Sequence, residues 1–149
     1  MKLAILLTIT FLTFNLSAAT STLGALTKVL PAGTYYGEQD DFTPCTVELK
    51  LINGIFKSFA AVSVSDSSTV VTKEVEEGSD FFVGRMGRQS FLFFQDQKFV
   101  NSKDESIYNE SFIGIKTANE GKILVTLENR FVNNTENSVS ALSCIIKTK

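Results

Sequence analysis

Residues 43–51 alternate more cleanly than any other part of the chain, with Cys45, Val47, Leu49 and Leu51 on one side and Thr46, Glu48 and Lys50 on the other. Side chains of an extended backbone point alternately to its two faces, so this pattern predicts a strand with one face buried and one wet. Asn53-Gly54 follows, and both residues tolerate positive φ. They predict a hairpin into a return strand over residues 55–65, with Phe56, Ala60, Val62 and Val64 inward. Further strands are predicted over residues 33–37, 69–76, 80–86, 90–95, 98–101, 106–117, 122–128 and 138–147, with turns at Gly87-Arg88, Asp96-Gln97 and Asn119-Glu120-Gly121 and a bulge or close approach at Gly114. Only residues 20–30 read as helical: Leu23, Leu26 and Leu30 have helical spacing, Thr22 is placed to cap, and Pro31 stops the run. Turn signals at intervals of roughly eight to twelve residues predict an all-β domain, a single antiparallel β-barrel or closed β-sandwich of about eight to ten strands. The short N-terminal helix would cover one open end.

One pair of strands departs from alternation. Phe81, Phe82, Phe91, Phe93 and Phe94 place aromatic rings on both faces. Strands that are apolar on both faces are covered on both, or present one face to a ligand or partner. Arg85 and Arg88 flank the glycines of the intervening turn, a basic spot able to receive a carboxylate or phosphate. No helix and no Lys-Ser/Thr follow it, so it is not a phosphate-cradling glycine loop. These seven residues are the predicted contacts for a ligand or partner.

The start of the chain sets the compartment. Lys2 precedes an uncharged run over residues 3–16, and Ser17-Ala18-Ala19 offers small residues for cleavage. This is the pattern of a signal peptide over residues 1–19, followed by a single exported β domain over residues 20–149 in the periplasm or outside the cell. No second apolar run follows, so no transmembrane segment is expected after cleavage. A membrane barrel fits poorly, because Thr46, Glu48 and Lys50 occupy the outer face of the best strand. The two cysteines, Cys45 and Cys144, are an even number in an exported chain and predict a disulfide between the first long strand and the last.

Composition narrows the chemistry. The 149-residue chain has no His and no Trp, which excludes Ser-His-Asp and Cys-His catalysis and any zinc site with a His ligand. Its net charge of −2, or −3 once Lys2 is removed, gives no electrostatic footprint for nucleic acid. The acids Glu38, Asp40 and Asp41, and likewise Glu74, Glu76, Glu77 and Asp80, lack the ordered spacing of a calcium loop and read as solvated turns. No catalytic residue, metal or cofactor is assigned. The expected function is a non-enzymatic exported binding protein for a small apolar ligand or a protein partner, an inhibitor among the latter. The alternatives are a structural envelope component and a carboxylate-based hydrolase.

Overall fold

The structure, a computed structural model, describes residues 20–101, 104–117, 121–133 and 137–147. The predicted leader over residues 1–19 and the predicted loop at Asn119-Glu120 lie outside the described residues. Among the described residues, one helix, α1 (Thr22–Val29), precedes nine strands: β1 (Gly33–Glu38), β2 (Pro44–Asn53), β3 (Ser58–Ser65), β4 (Val70–Glu76), β5 (Phe81–Met86), β6 (Gln89–Asn101), β7 (Asp104–Thr117), β8 (Lys122–Val132) and β9 (Asn137–Lys147).

The strands form one antiparallel sheet in the order β4-β3-β2-β1-β9-β8-β7-β6-β5. The all-β class and the single helix are as expected; closure is not. β4 and β5 are the two free edges, and no ladder joins them. They follow one another in the chain, but residues 77–80 between them are drawn to the start of α1 instead of making a hairpin. The Glu77 carboxylate accepts from the backbone N–H of Thr22 at 3.1 Å and of Leu23 at 3.4 Å, and the Thr22 hydroxyl donates to the carbonyl of Ser79 at 2.9 Å. An acid there meets the unpaired N–H groups of a helix start.

Ser21, not Thr22, caps α1, accepting from Gly24 N–H at 3.0 Å. Leu26 and Leu30, one turn apart, are fully buried and join the helix to the core. In β2 the alternation holds for Cys45, Val47 and Leu49, but Leu51 is 50% exposed. The β2–β3 hairpin runs past the core there. Its turn spans residues 54–57, closed by Gly54 N–H to the Lys57 carbonyl at 3.0 Å, so β3 starts only at Ser58 and Phe56 lies in the turn, 95% exposed instead of inward. The predicted turn at Asp96-Gln97 is continuous strand within β6. Gly114 pairs regularly with Phe93 and Thr126, and the ladder irregularity lies at Phe99–Asn101 instead of there. The Gly87-Arg88 turn is as expected, with Gly87 at φ 60°.

Cys45 and Cys144 are bonded, as predicted, with a Cα–Cα separation of 5.9 Å. β1 lies between their strands in the sheet. In a flat sheet, strands two places apart are about 9.6 Å apart, so the sheet must turn a corner at β1. Gly37 is the residue that allows it. It pairs with Cys45 on one side and Ile146 on the other, and an added Cβ would overlap the carbonyl oxygen of Ile145. Beyond the corner the sheet curls back on itself. Val47, Val62, Val64 and Val71 of the first half share one core with Leu92, Ile115, Val125, Leu127 and Ile146 of the second.

Candidate functional site

The pairing of β5 with β6 divides the phenylalanines between two faces. Directly opposed residues share a face, so Phe81 and Phe94 belong to one side and Phe82 and Phe93 to the other. Phe94 is buried in the core and Phe81 packs against it, their ring centroids 5.8 Å apart. On the outer face, Phe82 stacks with Phe91 at 5.5 Å and Phe93 with Phe112 at 5.5 Å. The Arg130 guanidinium lies 5.5 Å above the Phe112 ring and is held by Glu128 at 3.0 Å. Phe91 also fills the space over Gly84, where a Cβ would overlap its ring. The second cover expected on this outer face is not there among the described residues, and Phe82 is 58% exposed. Arg88 is exposed in the β5–β6 turn, and Arg85 is exposed near the end of β5.

The inner face of the same strands borders an apolar cavity. Three rungs cross β5, β6 and β7: Phe81–Phe94–Ile113, then Val83–Leu92–Ile115, then Arg85–Ser90–Thr117. The first two are apolar, with Leu92 and Ile115 nearly fully buried, and the third is polar. Opposite them lies the flank of α1 that carries Ala25, Lys28 and Val29. Between helix and sheet is a cavity of about 600 Å³. The attachments of α1 lie elsewhere. Its N-terminus is bonded to residues 77 and 79, and it packs on β4, while Leu26 and Leu30 fill the core beneath. Among the described residues no hydrogen bond joins α1 to β5–β7. Of the residues the sequence singled out, Phe81 and Phe91 line this cavity and Arg85 does not; Ala25, Val29, Ile115 and Thr117 were missed. The spacing of Ala25 and Val29, four apart on one helical flank, was the signal available.

A second cavity, about 330 Å³, follows the seam between the free edges and is lined by Lys73, Asp80, Gln95, Asp96, Lys98 and Ser111 among others. Lys73 projects inward from β4 and donates to Ser111 Oγ at 2.9 Å and to Asn129 Oδ1. It thus ties β4 to β7 and β8 where no ladder exists. Burial holds its ammonium below the ordinary lysine value of 10.5, against the attraction of Asp96 and with the repulsion of Lys98. A third cavity, about 550 Å³, lies at the corner beside Tyr36, Phe42 and Gln39, with Glu38, Asp40, Lys122 and Lys147 around it. Phe42 has φ 67°, uncommon for a bulky residue, in a turn closed by Gln39 N–H to the Thr43 carbonyl at 2.9 Å.

Among the described residues no group of three acids or cysteines is placed to hold a metal ion, and no helix is long and apolar enough to cross a membrane. No protein-family model, curated protein or solved structure matches the chain.

Proposed function

We propose that the protein is a non-enzymatic, exported binding protein that holds a small apolar ligand between α1 and the inner face of β5–β7. The observation that carries this reading is the cavity of about 600 Å³ floored by Val83, Leu92 and Ile115 and roofed by Ala25 and Val29. Its volume falls in the range of small-molecule sites, and its walls are apolar with a few polar groups at one side. Water in such a space finds few partners, so displacing it with hydrocarbon is favourable. Export is supported by the leader pattern of residues 1–19 and by the Cys45–Cys144 bond, which persists in oxidising compartments.

The test is uptake of the neutral fluorophore N-phenyl-1-naphthylamine, with displacement by straight-chain alcohols. Each added methylene should tighten displacement about fourfold until the cavity is full, from about 0.8 kcal/mol per buried CH₂. Ala25→Phe should abolish uptake while the melting transition persists. Phe93→Ser, on the opposite face, should leave uptake unchanged. Uptake that survives Ala25→Phe and disappears in Phe93→Ser would move the site to the outer face.

The exposure of Phe82 favours a second reading, a protein partner on the outer aromatic row. That reading would stand if a captured partner were lost with Phe82→Ser and kept with Ala25→Phe.

A further inference from the structure

The cavity under α1 is not uniformly apolar. Along its sheet side the residues change in register, from Phe81–Phe94–Ile113 and Val83–Leu92–Ile115 to Arg85–Ser90–Thr117. Ser90 and Thr117 line the cavity, and Arg85 follows Val83 on the same face of β5. The Thr117 hydroxyl is anchored at this rung, donating to the Ser90 carbonyl at 3.1 Å and accepting from Ser90 N–H at 3.3 Å. On the helix side the lining includes Lys28, exposed in the last turn of α1.

Charge separates this cavity from the others. The seam cavity sets Lys73 and Lys98 among Glu74, Asp80 and Asp96. The corner cavity sets Lys122 and Lys147 beside Glu38 and Asp40. The cavity beside Phe131 sets Arg130 beside Glu110. Under α1, Lys28 is the single charged residue of the lining and no carboxylate accompanies it. Neither Lys28 nor Arg85 forms an ion pair among the described residues. A cation in the last turn also complements the helix dipole, which is an ordinary reason for Lys28 to be there. That reason accounts for neither Arg85 nor the hydroxyls of Ser90 and Thr117.

We infer that the ligand is a single-chain amphiphile with an anionic head, its tail against Val29, Val83, Leu92 and Ile115 and its carboxylate or phosphate at the rim formed by Lys28, Arg85 and Ser90. This rests on the cavity reading proposed above. An apolar floor ending in a polar, cationic rim complements such a molecule from end to end, and a charged oxygen there receives charge-assisted hydrogen bonds.

The experiment is displacement of N-phenyl-1-naphthylamine from the full-length folded protein by four compounds of equal chain length: dodecanoate, dodecyl phosphate, dodecanol and dodecyltrimethylammonium. Both anions should displace about tenfold better than the alcohol, and the cation worst. Preference for one anion over the other tells a free fatty acid from a phosphate-headed lipid, and either preference supports the inference. Lys28→Gln with Arg85→Gln should bring the anions to the level of the alcohol and leave the alcohol unchanged. The melting transition of that variant separates loss of the rim from loss of the helix, and Lys28→Arg should retain the preference. If dodecanol equals dodecanoate in the native protein, the anionic head is overturned and the apolar cavity stands. If the probe is not taken up at all, the cavity reading falls and this inference with it.

Discussion

The curled sheet has two places where its halves meet, and they are built differently. At the corner, β1 joins β9 by backbone pairing at Gly37 and Glu38, and the Cys45–Cys144 bond clasps β2 to β9 across it. At the seam, β4 and β5 share no ladder. There, Lys73 reaches across to Ser111 and Asn129, and the segment between the two edge strands is bonded to the start of α1 at Glu77 and Ser79. Backbone ladders bring strands to about 4.8 Å and leave no room between them. Side-chain bridges such as those of Lys73 hold strands at longer range. The seam cavity and the cavity under α1 both lie along this open side, and the α1 cavity is the one we assign to a ligand. The corner is closed by a ladder and a covalent bond, and the seam by side chains alone.

The sharpest way to break this contrast is at the clasp. Replacing Cys45 and Cys144 together with Ala should cost about 4–5 kcal/mol by the chain-entropy account for a loop of about a hundred residues, here 99 in separation. Denaturant unfolding of the oxidised native protein against the variant measures it. A loss below about 1 kcal/mol would mean that packing alone holds the corner.

Next comes the corner residue itself. Gly37→Val should cost about 1–3 kcal/mol, because the side chain would meet the Ile145 carbonyl and force β1 from β9. Amide hydrogen exchange should quicken at β1 and β9 before it does at β6 and β7. Uniform acceleration would show that corner and seam are one cooperative unit.

The smallest effect belongs to the seam. Lys73→Met should change stability by about 1 kcal/mol or less at neutral pH, since it loses hydrogen bonds but also relieves a partly buried charge. Its signature is in the pH dependence. The Lys73 ammonium is held below 10.5 chiefly by burial, so between its folded value and 10.5 the unfolded chain binds the proton more firmly. Stability contributed by this group therefore rises as pH climbs through that window and is level above it. The difference between native and Lys73→Met curves should show this rise, and a flat difference would mean that Lys73 is solvated in the folded state.

How far the chain could be read in advance varied by element. In β2, the inward set Cys45, Val47 and Leu49 was legible because the strand sits squarely on the core. It failed at Leu51 and Phe56, where the hairpin outruns the core and alternation no longer reports burial. The aromatic pair was legible as unusual, and its division into Phe81 and Phe94 against Phe82 and Phe93 follows from register alone. The cavity was not legible. Ala25, Val29, Ile115 and Thr117 come from distant segments, and no local pattern places them around one space.

What the sequence by itself determined is local: which residues extend, which face of each strand turns inward, where the chain turns, and that two cysteines at opposite ends of the domain are available to pair. Periodicity carries that information because side-chain direction depends only on a residue's own place along the backbone. Only the tertiary structure decided that the sheet stays open between β4 and β5, that Gly37 makes its corner, and that α1 stands off β5–β7 and leaves a cavity. Those outcomes depend on what each buried face packs against, and that is settled by the fit of surfaces far apart in the chain.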